Sequence, residues 1–181
     1  MKKIIYYLFT ALLIGLVIYS CEENKDKGDG DAKKSVITGQ LVSNSPCKDD
    51  LFLKSQIVVA PDSISRVEYS FDNNTNKLIM KHINAGFNCC PDSLYCKIEL
   101  KGDTILIQEF EKEAGCKCNC LYDMDIEING VGMNQYQVKF VEPYAGEMDK
   151  IEFEIDLANA ANGSFSVIRK RYPWCVYSME E

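Results

Sequence analysis

Histidine and tryptophan are almost absent from this sequence of 181 residues, which has one of each and five prolines. The single histidine, His82, argues against a hydrolase triad and against a metal site built on two imidazole ligands. There is also no phosphate-binding loop, no nucleophile elbow and no C-x-x-C redox motif. We therefore expect neither enzymatic activity nor a bound cofactor.

Basic residues are too few to form a nucleic-acid-binding surface. The chain has 20 lysines and arginines against 27 aspartates and glutamates, which gives a net charge of -7. Most of the basic residues are scattered singly rather than gathered in a patch. Because the affinity for nucleic acid comes largely from neutralised phosphates, we expect no nucleic-acid partner.

The N-terminus has the pattern of an export signal. Two lysines precede an apolar run, 4–18, which is too short for a committed membrane span. The run ends at Ile18-Tyr19-Ser20-Cys21, which resembles the lipobox of bacterial lipoproteins. The resemblance implies that residues 1–20 are a signal peptide, that signal peptidase II cuts before Cys21, and that several acyl chains on Cys21 give stable anchoring.

The segment that follows, 21–34, is almost free of apolar residues and predicts a flexible tether. Its acidic start, Glu22-Glu23, resembles the signal that sends lipoproteins to the cell surface in some anaerobic Gram-negative bacteria; a plain solvated linker is the alternative. Loss of two lysines with the signal peptide takes the net charge from -7 to -9. We expect a membrane partner through the lipid on Cys21, at the periplasmic face or the cell surface of the outer membrane.

The rest of the chain, 35–181, reads as a single all-β domain. Apolar residues alternate with polar ones, and no window of ten residues has a convincing helical period. About nine strands are predicted, which favours an antiparallel β-sandwich, immunoglobulin-like among the options, with a small barrel as the alternative. The predicted strands are 35–42, 66–71, 77–84, 94–100, 104–111, 116–128, 135–142, 151–157 and 164–171.

Turn residues separate these strands. The pairs Asn73-Asn74 and Gly102-Asp103 are typical of tight turns between neighbouring strands. Asn129-Gly130 and Asn162-Gly163 are Asn-Gly pairs followed by new alternation, and they predict two further hairpins.

Besides Cys21, the chain has eight cysteines, an even number that predicts disulfide bonds in an exported protein. Cys116, Cys118 and Cys120 would share one strand face at spacings of roughly 7 Å, so each should bond to another segment. The adjacent Cys89 and Cys90 should likewise bond to different partners. The remaining disulfide candidates are Cys96, as a partner for the 116–120 strand, and Cys47 with Cys175, as a bond between the two ends of the domain.

A thiolate metal centre is the alternative interpretation of the cysteines. Clustered thiolates suit soft metals such as copper(I) or zinc. In an oxidising compartment disulfides would capture these thiols first. The lone His82, on one strand face with Leu78 and Met80, is expected to be structural or exposed. The candidate metal ligands are Cys89, Cys90, Cys96, Cys116, Cys118 and Cys120.

Two further surfaces could take part in binding. The segment 169–175 (RKRYPWC) places three basic residues beside Tyr172 and Trp174, and exposed aromatic residues are favoured at recognition sites. The alternative is that Trp174 closes the end of the core. A row of acids at 123, 125 and 127 would face solvent opposite lysines of a neighbouring strand, such as Lys139.

Three stretches within roughly residues 82–143, HINAGFNCCPD, GDTI and CKCNCLYDMDIEI, are similar to uncharacterised cysteine-rich lipoproteins of Gram-negative bacteria. This resemblance implies a class and no activity. Together with the lipobox and the cysteines, it predicts a membrane-anchored domain with a non-enzymatic binding or envelope-structural role. The sequence leaves the protein or glycan partner unidentified.

Overall fold

The computed structural model describes residues 36–48, 63–116 and 118–169. These residues form nine β-strands and no helix, as the alternating pattern predicts. They contain no helix long and apolar enough to cross a membrane. In chain order the strands are β1 (Thr38–Asn44), β2 (Ser63–Asp72), β3 (Lys77–Asn88), β4 (Pro91–Lys101), β5 (Thr104–Ala114), β6 (Asn119–Asn129), β7 (Gln135–Val141), β8 (Glu152–Asp156) and β9 (Asn162–Arg169).

The strands form two sheets, and the all-β sandwich expected from the sequence is confirmed. The first sheet has five strands in the order β1-β6-β3-β2-β9, and the second has four in the order β4-β5-β7-β8. Every neighbouring pair is antiparallel except β5 and β7, which run parallel. A parallel pair needs a long crossover, and here β6 of the first sheet supplies it.

The inward faces of the two sheets form the core. On β3, β6 and β7 alternate residues are buried, so each strand contributes one apolar face. The main cluster includes Leu78, Met80, Ile107, Ile126 and Val138. A second, smaller cluster surrounds Cys120 and extends the core toward the cysteine-rich end of the molecule.

The predicted turns divide into two kinds. Gly102 and Asp103 form the two-residue connection of the β4–β5 hairpin, where Gly102 has a φ of +66° that favours glycine. Residues 73–76 form a four-residue connection between β2 and β3. The hairpins predicted at the two Asn-Gly pairs are wrong, because the chain passes to the other sheet after Asn129-Gly130, and Asn162-Gly163 begins β9 after a second such crossing.

The first of these crossings shows the physical reason. Asn129 still pairs with β1 and β3, and the backbone nitrogens of Gly130 and Val131 donate hydrogen bonds to the carbonyl oxygen of Asn76. Val131 is fully buried. The turn residues therefore direct the chain across the core to the second sheet. Burial of Val131 favours this path over a hairpin that would return alongside β6.

Candidate functional site

Five polar or charged side chains lie buried between the two sheets, and we call them the ion cluster. Three belong to the first sheet, one to the second, and one follows the second sheet's strand β7. Ser65, His82 and Arg169 have no exposed surface, Glu109 is 3% exposed, and the side chain of Glu142 is 4% exposed. The members are Ser65 (β2), His82 (β3), Glu109 (β5), Glu142 (after β7) and Arg169 (the last residue of β9).

His82 lies at the centre of this cluster. Its Nε2 is 2.8 Å from the Ser65 Oγ, and its Nδ1 is 2.8 Å from the Glu109 Oε1. This is the hydrogen-bond order of a Ser-His-Glu triad. The inference that a single histidine argues against such an arrangement was therefore wrong about geometry, because one histidine is enough to link a serine and a carboxylate.

Glu142 and Arg169 form the other half of the ion cluster. The Arg169 Nη2 donates to the Glu142 Oε2 at 2.5 Å, and its Nη1 donates to the backbone carbonyl of Asp149 at 2.5 Å. The Glu142 Oε1 lies 3.9 Å from the His82 Nε2. Arg169 is thus an internal residue, whereas the sequence had placed it with the exposed basic residues of the C-terminal segment.

The charges of the cluster favour a protonated histidine. Burial lowers the pKa of His82, but the carboxylates of Glu109 and Glu142 outweigh it and raise this pKa above its usual value. Burial also raises the pKa of Glu142, although His82 and Arg169 act against it. A protonated His82 cannot accept a proton from Ser65, so the raised pKa of the imidazole opposes activation of Ser65 as a nucleophile.

The same charges bear on metal binding. One ligand atom from each of His82, Glu109 and Glu142 lies within 4.8 Å of the others, which is compatible with a cation between them. However, Arg169 and protonated His82 already balance the two carboxylates. A divalent cation in place of the proton would leave net positive charge in a buried position, which is costly. We therefore interpret the ion cluster as a structural link between the sheets.

We expect the free energy of unfolding to fall as the pH rises above about 6.5, the usual pKa of histidine, because the pKa of His82 is raised in the folded protein. A group whose pKa is raised in the folded state stabilises the fold fully below its unfolded pKa, about 6.5 for histidine. That stabilisation is lost as the pH rises through the folded pKa of His82. Urea unfolding without reductant, at a series of pH values, measures the effect. The free energy of unfolding of His82→Gln should depend less on pH than that of the wild type. Equal dependence on pH in the two proteins would contradict a raised pKa of His82.

The second candidate region is the disulfide end, which contains three bridges. They are Cys47–Cys120, Cys89–Cys118 and Cys90–Cys116. The cysteines at 116, 118 and 120 each bond to another segment, and the adjacent Cys89 and Cys90 have different partners, in agreement with the spacing argument. The bridges join the end of β3 and the chain after β1 to the segment that leads into β6.

Two of the predicted cysteine pairings are wrong. Cys47 bonds to Cys120 rather than to Cys175, which lies outside the described residues. Cys96 is a free thiol, because β4 belongs to the second sheet and carries it roughly 17 Å along the strand from Pro91, away from the disulfide end. Burial and the nearby Glu109 charge raise the pKa of Cys96 to about 12, so this thiol stays protonated at neutral pH.

The disulfides occupy most of the sulfur atoms proposed for a metal centre. Five of the six candidate ligands are in disulfides, four with one another and Cys120 with Cys47, which leaves Cys96 as the free one. A single protonated thiol does not make a thiolate site. In the oxidised form described, the six-cysteine metal centre is therefore not assembled.

The row of acids on β6 is paired with lysines. Asp125 lies opposite Lys81 of β3 and Glu127 lies diagonally from Lys77, at 3.7 Å and 2.9 Å between charged atoms. The expected partner, Lys139, is wrong, since it lies in the second sheet and pairs with Glu152 instead. A row of acids with its own lysines is a solvated strand face, as the alternation predicts.

The chain matches no protein-family model, no curated protein and no solved structure. The function must therefore be argued from the chain's own residues. The lipidation candidate Cys21 and the binding candidates Tyr172 and Trp174 lie outside the described residues. The sequence pattern did not predict the ion cluster. It predicted disulfides at the cysteine-rich end but not all of their pairings.

Proposed function

We propose that this chain is exported, anchored to a membrane by lipid on Cys21, and displays a disulfide-bonded β-sandwich with a binding or envelope-structural role. The three bridges at the disulfide end are the observation that carries this proposal. Disulfides form and persist in oxidising compartments, so a chain with three of them is best explained by export. The lipobox-like motif ending at Cys21 supplies the anchor.

The non-catalytic part of the proposal is supported by the charges at His82. In the described residues, the one Ser-His-carboxylate arrangement is buried, and two glutamates raise the pKa of its imidazole, which favours the protonated form. A serine nucleophile needs a neutral imidazole and access for substrate. The ion cluster provides neither, so its role is to join the two sheets.

The anchor is tested by growth of a Gram-negative host that expresses the full chain in the presence of radiolabelled palmitate. We expect label on the wild-type protein and its recovery in the membrane fraction, because the Cys21 thiol takes a diacylglycerol, signal peptidase II then cuts before it, and the new amine is acylated. The matched variant Cys21→Ser should carry no label. It should also accumulate as a precursor, visible as a higher mass on a denaturing gel.

Two results would contradict the proposal. Equal labelling of the wild type and Cys21→Ser would remove Cys21 as the lipid site. Covalent labelling of Ser65 by a fluorophosphonate probe, lost in Ser65→Ala, would mean that the buried arrangement is accessible and reactive. That result would replace the binding or structural role with a hydrolase.

A further inference from the structure

The three disulfides differ in their access to solvent. Cys90, Cys116 and Cys118 are exposed, so both bridges that contain them present at least one exposed cysteine. Cys120 is fully buried in the smaller core cluster, and its bridge to Cys47 is shielded. Because disulfide exchange requires a thiolate to reach a sulfur atom, an external dithiol should open the two exposed bridges first.

The two exposed bridges are also adjacent. Cys89 and Cys90 are consecutive in the chain, and their partners Cys118 and Cys116 are separated by one residue. The Cα–Cα distances across the bridges are 5.5 Å and 5.8 Å. Opening both would therefore create four thiols within one small region.

Hydrogen bonds hold this region together independently of the sulfur atoms. The buried Asn88 side chain donates to the Cys116 carbonyl at 2.6 Å and accepts from the backbone nitrogens of Cys90 and Cys116. The Cys89 nitrogen donates to the Cys118 carbonyl at 3.0 Å. The two cysteine-bearing segments should therefore stay together when the bridges open.

A second set of hydrogen bonds fixes the same segment to the sandwich. The Tyr122 hydroxyl donates to the carbonyl oxygens of Asn88 and Cys89, at 3.0 Å and 3.2 Å. The backbone nitrogen of Asn88 donates to the Glu111 carboxylate at 2.7 Å. Since β5 and β6 supply these partners, hydrogen bonds to both sheets hold the Asn88-Cys89 segment in addition to its disulfide.

We propose that Cys89, Cys90, Cys116 and Cys118 form a four-thiolate site for a zinc-class soft cation, closed by two disulfides in the oxidised protein and opened by reduction. Four thiolates around zinc make a tetrahedron with metal–sulfur distances of about 2.3 Å, so the sulfur atoms lie roughly 3.8 Å apart. The Cα–Cα distances of 5.5 Å and 5.8 Å across the two bridges leave room for each pair of sulfur atoms to move apart to that separation by side-chain rotation. The proposal goes beyond the lipid-anchored display argued above and does not depend on the anchor.

The chemistry balances with two equivalents of a dithiol reductant. Each dithiol is oxidised to its own disulfide and transfers two electrons and two protons to one protein disulfide, which becomes two thiols. Each thiol that then ligates the cation releases its proton to solvent. Removal of the cation and reoxidation of the four thiols restores the two bridges.

The test begins with the full chain, produced by export to an oxidising compartment and purified without reductant. After brief treatment with dithiothreitol and its removal under nitrogen, alkylation and intact mass should show four thiols more than the untreated protein. Peptide mapping should locate them at 89, 90, 116 and 118, with Cys47–Cys120 intact. Cadmium, as a spectroscopic substitute for zinc, should then bind one ion per chain with the ultraviolet absorption of cadmium thiolates.

Two variants separate a metal site from incidental thiol binding. Cys90→Ser with Cys116→Ser keeps the other two bridges and removes half of the ligands, so cadmium affinity after reduction should fall more than about 100-fold. Asn88→Ala keeps all four thiols but loses the hydrogen bonds that position them, and we expect a fall of about 10-fold or more. Zinc should displace the cadmium.

Three outcomes would overturn the proposal. The first is loss of the Cys47–Cys120 bridge together with the other two under the same treatment. The second is the absence of cadmium-thiolate absorption in a protein with four mapped new thiols. The third is equal cadmium affinity in the wild type and in the variant that has serine at 90 and 116.

Discussion

Replacement of Arg169 by methionine is expected to lower the free energy of unfolding by about 3–5 kcal/mol. The change removes the cation that pairs with Glu142 and leaves that carboxylate in a position where it is 4% exposed. With protonated His82 as its one remaining cation, the cluster would carry an uncompensated negative charge, which is far more costly than a lost surface ion pair. Urea unfolding at neutral pH without reductant, followed by tryptophan fluorescence and circular dichroism, measures the change.

The controls distinguish the buried charge from the loss of packing. Arg169→Met combined with Glu142→Leu should recover much of the lost stability, because no unpaired charge remains. Lys139→Met breaks the exposed pair with Glu152, where the charged atoms are 2.6 Å apart, and should cost less than about 1 kcal/mol. If Arg169→Met alone is at least as stable as Lys139→Met, the ion cluster does not link the sheets.

Removal of the Cys47–Cys120 bridge by alanine at both positions should destabilise the oxidised protein by about 4 kcal/mol. This bridge spans 73 residues, and the loss of loop-closure entropy in the unfolded chain grows with that length. Cys120 is also fully buried against Phe87 and Met124, so alanine leaves a small cavity. Thermal and urea unfolding of the oxidised protein measure the change.

The Cys90–Cys116 bridge is the matched control. With alanine at both positions, the loss in free energy of unfolding should be much less than half of that expected for the Cys47–Cys120 bridge. Cys89–Cys118 still closes nearly the same loop, with 29 residues in place of 26. The entropy term depends on the loop that remains closed and not on the number of sulfur bonds. Equal losses from the two double variants would contradict this account.

The strands could be predicted from the sequence because alternation with period two reports directly which side of a strand is buried. On β6 the apolar residues Met124, Ile126 and Ile128 follow that pattern, and all are buried. Sheet order could not be predicted in the same manner. The Asn-Gly pairs predict a change of direction, but the choice between a hairpin and a corner depends on the partner strands, which are distant in sequence.

The ion cluster does have a signal in the sequence, although a weak one. Each of its strand residues is in phase with the apolar face: Glu109 follows Ile107, His82 follows Met80, and Arg169 follows Val167, each by two positions. A charged residue at an inward position predicts a buried partner. The identity of the partner could not be derived, because Glu142 lies outside any strand and is brought near by the fold alone.

The cysteine spacing limited the pairings without determining them. The i, i+2, i+4 spacing of the three cysteines from 116 to 120 argued against bonds among themselves, and this agrees with the three bridges. The choice of Cys47 over Cys96 as the partner of Cys120 depends on which sheet each strand joins. That information comes from long-range pairing, such as β1 with β6.

The Cys47–Cys120 bridge also sets how the molecule would respond to mechanical force. A pull applied between the proposed lipid anchor and the C-terminal side of β9 would first peel β9 from β2, since no disulfide among the described residues involves the chain after Cys120. The bridge would then limit further extension, because the 73-residue loop that it closes, roughly 240 Å long when fully extended, cannot be pulled out. The chain between Cys47 and Cys120 would therefore stay a closed loop under a load that extends the rest of the domain.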